Sequence, residues 1–243
     1  MKLVVRDLSF KYDEKPVLNS VSFSVNKGEF VSILGHSGAG KSTILKLLTG
    51  ILIKTTGEII LDDKKIKAIG ENFSYMPQND LLLPWKTITE NVCLYGSIHN
   101  KFLDTKAKAN DLYEKFGLKG YENEYPSTLS GGMRQRAAFL RTILCEKEIL
   151  LLDEPFGALD VITRTKMQDW LLNIRETMNR TILLVTHDID EAIYLSDRIL
   201  ILDRKGNGIS SEIIIKEKNK TRKWLYKESD LKLKIHNSIL TEE

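Results

Sequence analysis

The chain is expected to fold as an α/β protein around a mostly parallel sheet, with a largely helical insertion in its middle. Three stretches carry that expectation. Residues 148–202 alternate strand-length apolar runs with segments of helical period, the pattern of successive βα units. Phe30–Leu34 is continuously apolar and ends at Gly35, as a buried strand feeding a loop does, and Ser42–Thr49 then has helical spacing stopped by Gly50. Between about Thr89 and Cys145 the strand texture gives way to two segments of helical period, Asp104–Phe116 and Gly131–Leu144.

Taken in order, Lys2–Leu8 and Asn19–Val25 alternate apolar and polar residues and read as half-buried strands. Phe30–Leu34 and the helix Ser42–Thr49 follow, then strands at Glu58–Leu61 and Phe73–Met76. After the helical insertion come strand Glu148–Leu152, helix Ile162–Met178, strand Ile182–Thr186, helix Ile189–Leu195 and strand Ile199–Leu202. A further strand is expected at Ser211–Lys216. Lys216–Lys227 is a basic run carrying Trp224 and Tyr226, open to three readings: a solvated helix, a membrane-surface contact or a dimer contact. With no internal repeat or low-complexity linker, the chain reads as one domain with two lobes. Residues 1–88 and 146–210 form the core lobe, 89–145 the helical lobe, and 211–243 a short C-terminal extension.

Composition narrows the class. A chain of 243 residues, 42% hydrophobic and 28% charged, is long enough for a sizeable core. A net charge of +3 places no demand for nucleic acid. No apolar run approaches the roughly 20 residues that span a bilayer. The N-terminus, Met1 to Asp7, meets an acid too early for a secretory signal. Cys93 and Cys145 lie in unrelated segments and read as unpaired thiols in a reducing cytosol.

Gly35-His36-Ser37-Gly38-Ala39-Gly40-Lys41-Ser42 matches the spacing G-x-x-x-x-G-K-[ST]. Glycines let the backbone turn tightly, so that successive N–H groups point at phosphate oxygens, and the following helix adds the positive end of its dipole. Residues 35–43, Thr43 included, form this candidate cradle. Lys41 would reach the β and γ phosphates and the Ser42 hydroxyl would ligate Mg²⁺. His36 holds a variable position of the pattern, and its imidazole is assigned no chemical role.

Ile149-Leu150-Leu151-Leu152-Asp153-Glu154 is a buried strand that ends in two acids, at the edge where α/β sheets bind ligands. Asp153 is the candidate metal ligand. The next side chain leaves in another direction, so Glu154 is the candidate general base for an attacking water. Downstream of the phosphate loop, Leu129-Ser130-Gly131-Gly132-Met133-Arg134-Gln135 offers a second cradle. Ser130 brings a hydroxyl, and Gly131 and Gly132 open a helix with exposed N–H groups.

These motifs, in this order over residues 2–203, resemble an ATP-binding cassette (ABC) transporter ATPase subunit. The resemblance implies a P-loop NTPase (RecA-like) core with an N-terminal antiparallel β portion and ATP and Mg²⁺ as ligands. It makes Leu129–Gln135 the signature, with Ser130, Gly131, Gly132 and Gln135 at the nucleotide, and Ala158-Leu159-Asp160 the D-loop. Gln78 stands where a glutamine contacts Mg²⁺ and senses the membrane partner. His187 is the switch histidine at the γ-phosphate, and Tyr12 the aromatic that stacks on adenine. Lys41, Gln78, Glu154 and His187 are thereby the catalytic set, and Ser42, Gln78 and Asp153 the metal set. The resemblance further implies a second copy of the chain closing each site head-to-tail. A separate membrane permease, an indirectly coupled solute-binding protein and a place on the cytoplasmic face of the membrane follow from it as well.

Gln78-Asn79-Asp80-Leu81-Leu82-Leu83-Pro84-Trp85, followed by Thr87 and Glu90-Asn91-Val92, and Asp188–Arg198 are similar to the nitrate, sulfonate and taurine importer branch. Leu81–Trp85 also reads as a buried staple under the helical lobe. Met76-Pro77 departs from that branch, which more often shows a Phe-like residue before the glutamine. Export-type subunits are the near alternative. Soluble ABC mechanoenzymes carry long coiled-coil insertions or a second cassette, and a small-molecule kinase would leave Ser130–Gln135 and His187 without roles.

Overall fold

The computed structural model describes residues 1–66 and 72–240. Residues 67–71 of the expected core lobe and 241–243 of the expected extension lie outside them. In chain order the elements are β1 (Leu3–Tyr12), β2 (Lys15–Val25), β3 (Phe30–Leu34), α1 (Lys41–Leu48), β4 (Thr56–Leu61), β5 (Lys64–Lys65) and β6 (Phe73–Met76). Helices α2 (Ile88–Val92), α3 (Leu94–Ile98), α4 (Phe102–Asn110) and α5 (Gly131–Ile143) follow. The remainder is β7 (Ile149–Asp153), α6 (Val161–Met178), β8 (Thr181–Val185), α7 (Ile189–Leu195), β9 (Arg198–Leu202), β10 (Ile209–Ile214), α8 (Arg222–Lys227) and α9 (Ser229–Leu240). The chain divides into two compact units, Met1–Phe73 with Leu172–Glu243, and Ser74–Leu171.

The first unit holds an antiparallel sheet in the order β2-β1-β4-β5. Strands β1 and β2 run longer than their alternation predicts, meeting at Tyr12 and Lys15. Bulges interrupt the alternation between Val5 and Lys11 while the ladder continues through them. Asp7, at φ 49°, sits in one such bulge and accepts from the Ser20 hydroxyl at 2.9 Å. The same unit contains strands in the order β10-β9-β3-β8, with β3 parallel to both β8 and β9 and β10 antiparallel to β9. Every residue of β3 and β8 is buried, as expected of parallel strands covered on both faces. Because Ile33 pairs with Val185, the loops leaving β3 and β8 emerge at one sheet edge.

The second unit places β7 beside β6 and packs α2 against α5. Its centre is aromatic: Phe116 meets Trp170 edge-on at 4.5 Å, and Phe139 meets Phe116 and Phe156 at 6.0 Å. The expected helix Asp104–Phe116 is instead α4 to Asn110 followed by turns that end at Gly117, φ 60°. Tyr113 and Phe116 stay buried in those turns, so apolar spacing persisted where the helix did not. Helix α2 was not expected; a capping box between Thr87 and Glu90 starts it.

Candidate functional site

In the first unit the loop between β3 and α1 has the shape its glycines predict. Gly38 and Gly40 adopt φ 83° and 99°, values that side-chain-bearing residues rarely take. A Cβ at Gly40 would fall 2.7 Å from Leu18 Cδ2, whereas one at Gly38 would meet nothing within 4 Å. The loop is thus pinned at its helix end and open at its middle, the form of a cradle that receives a ligand from outside. Lys41 is only 7% exposed and curls back so that Nζ donates to the carbonyls of Gly35 and His36, both at 2.8 Å. Ser42 is half-buried and Thr43 buried in the first turn, while Ser37 is exposed. The cradle's N–H groups and a fixed ammonium suit a polyphosphate.

His187 is exposed in the loop leaving β8. The turn behind it is braced: Thr186 Oγ1 donates to Glu191 Oε2 at 2.8 Å and accepts from the Asp188 N–H at 3.1 Å. Asp188 then caps α7 through the Glu191 N–H. Tyr12 ends β1 with its ring 48% exposed and edge-on to Phe10 at 4.7 Å. Phe10 and Leu18 line a nearby cleft of about 660 Å³ with Lys11, Asn19, Lys205 and Asn207.

In the second unit β7 is wholly buried and delivers Asp153, 2% exposed, to its end. The Tyr75 hydroxyl stands 3.5 Å from Asp153 Oδ2, and burial and then that neighbouring charge push the phenol above its ordinary range. Glu154 takes φ 48°, a left-handed conformation that turns the chain at the strand end and separates the two carboxylates in direction. Gln78 Nε2 donates to Glu154 Oε2 at 3.2 Å, so these two predicted residues meet. Asp160 accepts from the Thr163 N–H at 3.0 Å, and hydrogen bonding from Thr163, its hydroxyl first and then its N–H, lowers the Asp160 carboxyl below the usual range.

Ser130 caps α5, its hydroxyl accepting from the Met133 N–H at 3.3 Å, and Ser130 and Gly131 face solvent. Gln135 is buried at 5% exposure and donates to the Pro155 carbonyl at 3.2 Å. Its amide ties α5 to the turn after Glu154. Leu82 alone of Leu81, Leu82 and Trp85 is buried; Leu81 is 61% and Trp85 70% exposed, so the expected buried staple narrows to one residue.

Sequence reasoning assigned no role to the side chains that anchor the segment after Gln78. Arg134 pairs with Asp80 at 3.1 Å. Arg141 donates to the carbonyls of Leu81 and Asp80 at 2.8 and 2.6 Å. The fully buried Asn91 side chain accepts from the Leu83 N–H through Oδ1 at 2.7 Å and donates through Nδ2 to the Leu83 carbonyl at 3.0 Å. The available signal was two arginines seven residues apart, on one face of the helix that the signature opens.

A family model described as ABC transporter matches residues 18–157, more than half of the chain. The chain belongs to the ABC transporter family. It is an ABC-type ATPase with the P-loop NTPase fold, and its ATPase activity is coupled to transport. Its ABC relatives include the formylaminopyrimidine import ATP-binding protein ThiZ of Halalkalibacterium halodurans, 48% identical over 82% of this chain and 78% of that protein. The aliphatic sulfonates import ATP-binding protein SsuB of Bacillus cereus is 44% identical over 81% of this chain and 78% of that protein. Among solved ABC structures, the dimeric post-hydrolysis state of the ATP-binding cassette MJ0796 bound to ADP and Pi superposes with a TM-score of 0.78. It is 28% identical and covers 88% of this chain and 99% of its own. Among the described residues no helix is long and apolar enough to cross a membrane.

Proposed function

We propose that this ABC ATPase is the energising subunit of an importer, working as a head-to-tail pair around two ATP and driving a separate permease at the cytoplasmic face of the membrane. The observation that carries the reading is a division of labour. The phosphate loop belongs to one compact unit, while the helix entry at Ser130-Gly131-Gly132, capped by Ser130 and with Ser130 and Gly131 facing solvent, belongs to the other. A second copy would bring its own signature to the nucleotide, and the dimeric cassette with ADP and Pi is a precedent among similar structures.

Roles follow residue by residue. The N–H groups of residues 35–43 and the Lys41 ammonium would hold the phosphates, and Tyr12 would stack on the base. Ser42, Gln78 and Asp153 offer hydroxyl, amide and carboxylate oxygens, the hard donors that Mg²⁺ takes. Bound there, the metal would neutralise charge on the phosphates. Glu154 would take the proton of the attacking water and His187 would address the γ-phosphate. Asp160 and the signature would act on the nucleotide of the partner copy. In this scheme 1–88 with 146–210 is the catalytic lobe, 89–145 the signature lobe and 211–243 an extension.

Exposed Leu81 and Trp85, carried on the segment that begins at Gln78, offer an apolar surface to a permease. The import relatives, one for formylaminopyrimidine and others for aliphatic sulfonates, support a small solute of that kind. A tagged Glu154→Gln chain captured from native membranes with ATP and Mg²⁺ is expected to bring down a multi-span permease and its binding protein. Recovery of ribosomal or DNA-repair proteins, with no permease, overturns the transport reading.

A further inference from the structure

We propose that helix α9 positions the phosphate loop, through His36, for nucleotide binding. The proposal rests on the reading of residues 35–42 as the phosphate cradle and gives a task to His36, whose imidazole the motif leaves unused. His36 Nε2 lies 3.0 Å from the carbonyl oxygen of Ile239, in the last turn of α9. A carbonyl only accepts, so Nε2 carries the proton and donates. The last four carbonyls of a helix have no partner within it, and a histidine N–H is a good one. The contact therefore satisfies both sides.

The backbone carbonyl of the same histidine accepts from Lys41 Nζ at 2.8 Å and from the Ala39 N–H at 3.2 Å. His36 is thus held at both ends, by α9 through its ring and by the lysine through its carbonyl. Helix α9 is itself anchored. Ile235 is fully buried, Lys232 pairs with Asp190 of α7 at 2.9 Å, and α9 packs on α7. Helix α8, just before it, lays Arg222 over the Tyr194 ring of α7 at 3.7 Å. Helix α7 begins at Ile189 and is capped by Asp188, the residue after His187. The C-terminal helices thereby tie the loop that holds phosphate to the helix behind the switch histidine.

A loop already fixed in its binding shape gives up less freedom when ATP arrives, so the contact acts on affinity and not on the chemical step. His36 is a positioning residue in this scheme. One hydrogen bond of ordinary strength corresponds to about a three- to tenfold change in affinity.

The test measures ATP dissociation constants, KM and kcat on the full chain, on His36→Ala, on His36→Gln, on a chain ended at Asn237, and on His36→Ala in that shortened chain. Ending at Asn237 removes the Ile239 carbonyl but keeps Ile235 and the Lys232–Asp190 pair. His36→Ala and the shortening are each expected to weaken ATP binding about three- to tenfold, and the shortened chain, which leaves every residue of the cradle in place, is expected to keep kcat within twofold. Together they should cost no more than either alone, and Gln, whose amide can donate to the same carbonyl, should restore most of the loss. Unchanged affinity in His36→Ala, or two losses that multiply, overturns the proposal, as does a fall in melting temperature with KM unmoved. Failure of the cradle reading is distinguishable, because Lys41→Ala would then leave ATP affinity unchanged.

Discussion

The phosphate loop and the signature segment are both glycine-bearing entries to a helix, yet the structure treats them oppositely. The loop is closed on itself: Lys41 is buried against two loop carbonyls, and Leu18 leaves no room for a Cβ at Gly40. The signature is presented: Ser130 spends its hydroxyl on capping α5, and Ser130 and Gly131 stand in solvent. On the proposed reading, a self-sufficient cradle would bind nucleotide within one chain, whereas a presented one would gain its partner from a second. The difference separates binding from turnover, and substitutions can test that separation.

The largest expected effect is at Glu154. Glu154→Gln keeps the shape of the side chain and its contact with Gln78 but loses the base, so turnover should fall by about 10²- to 10⁴-fold. ATP binding should persist and the chain should accumulate as a dimer, read by steady-state ATPase assay and light scattering. Normal turnover would remove Glu154 from the mechanism. Ser130→Arg comes next. It places a bulky cation where the presented cradle must close, and turnover should fall by about 10²-fold or more, the scale of losing a preorganised donor. ATP affinity of the monomer should stay within twofold; a joint loss of affinity and turnover would erase the contrast between the two segments.

Lys41→Ala probes the other side. Charge-assisted hydrogen bonds are worth about 1.5–3 kcal/mol, so ATP affinity should fall roughly ten- to hundredfold. Equilibrium titration reads it directly, and an unchanged dissociation constant would exclude the loop as the phosphate site.

Much of this was legible in the sequence, for a physical reason that differs by element. Strand β3 falls on Phe30–Leu34 as expected, and β7 and β8 within one residue, because strands buried on both faces need unbroken apolar runs. The phosphate loop was legible because backbone geometry there admits few residues besides glycine. Strands β1 and β2 were read short, because their bulges at Asp7 and Ser20 break the period while hydrogen bonds carry on. Helix α9 left little trace, since Ile235 is its one fully buried residue. The contact from His36 to Ile239 spans 203 positions and has no local pattern at all. Arg134 and Arg141 show in the sequence as a pair on one helix face, but nothing near them in the chain says that Asp80 and Leu81 are their partners.

Arg141 gives the smallest and most discriminating effect. Its guanidinium is drawn below its ordinary pKa by burial but holds the carbonyls of Asp80 and Leu81, fixing the segment that leads from Gln78 to exposed Trp85. Arg141→Ala would leave two carbonyls without their charged donor, a cost of about 1–3 kcal/mol where they are shielded from water. The loss should appear first as a lower urea midpoint. The phosphate loop lies in the other compact unit, so ATP affinity should stay within twofold, while turnover falls about fivefold as Gln78 loses its footing beside Glu154. Weakened ATP binding in Arg141→Ala would show that loop and anchor are energetically coupled, and the division between a self-sufficient cradle and a presented one would have to be redrawn around that coupling.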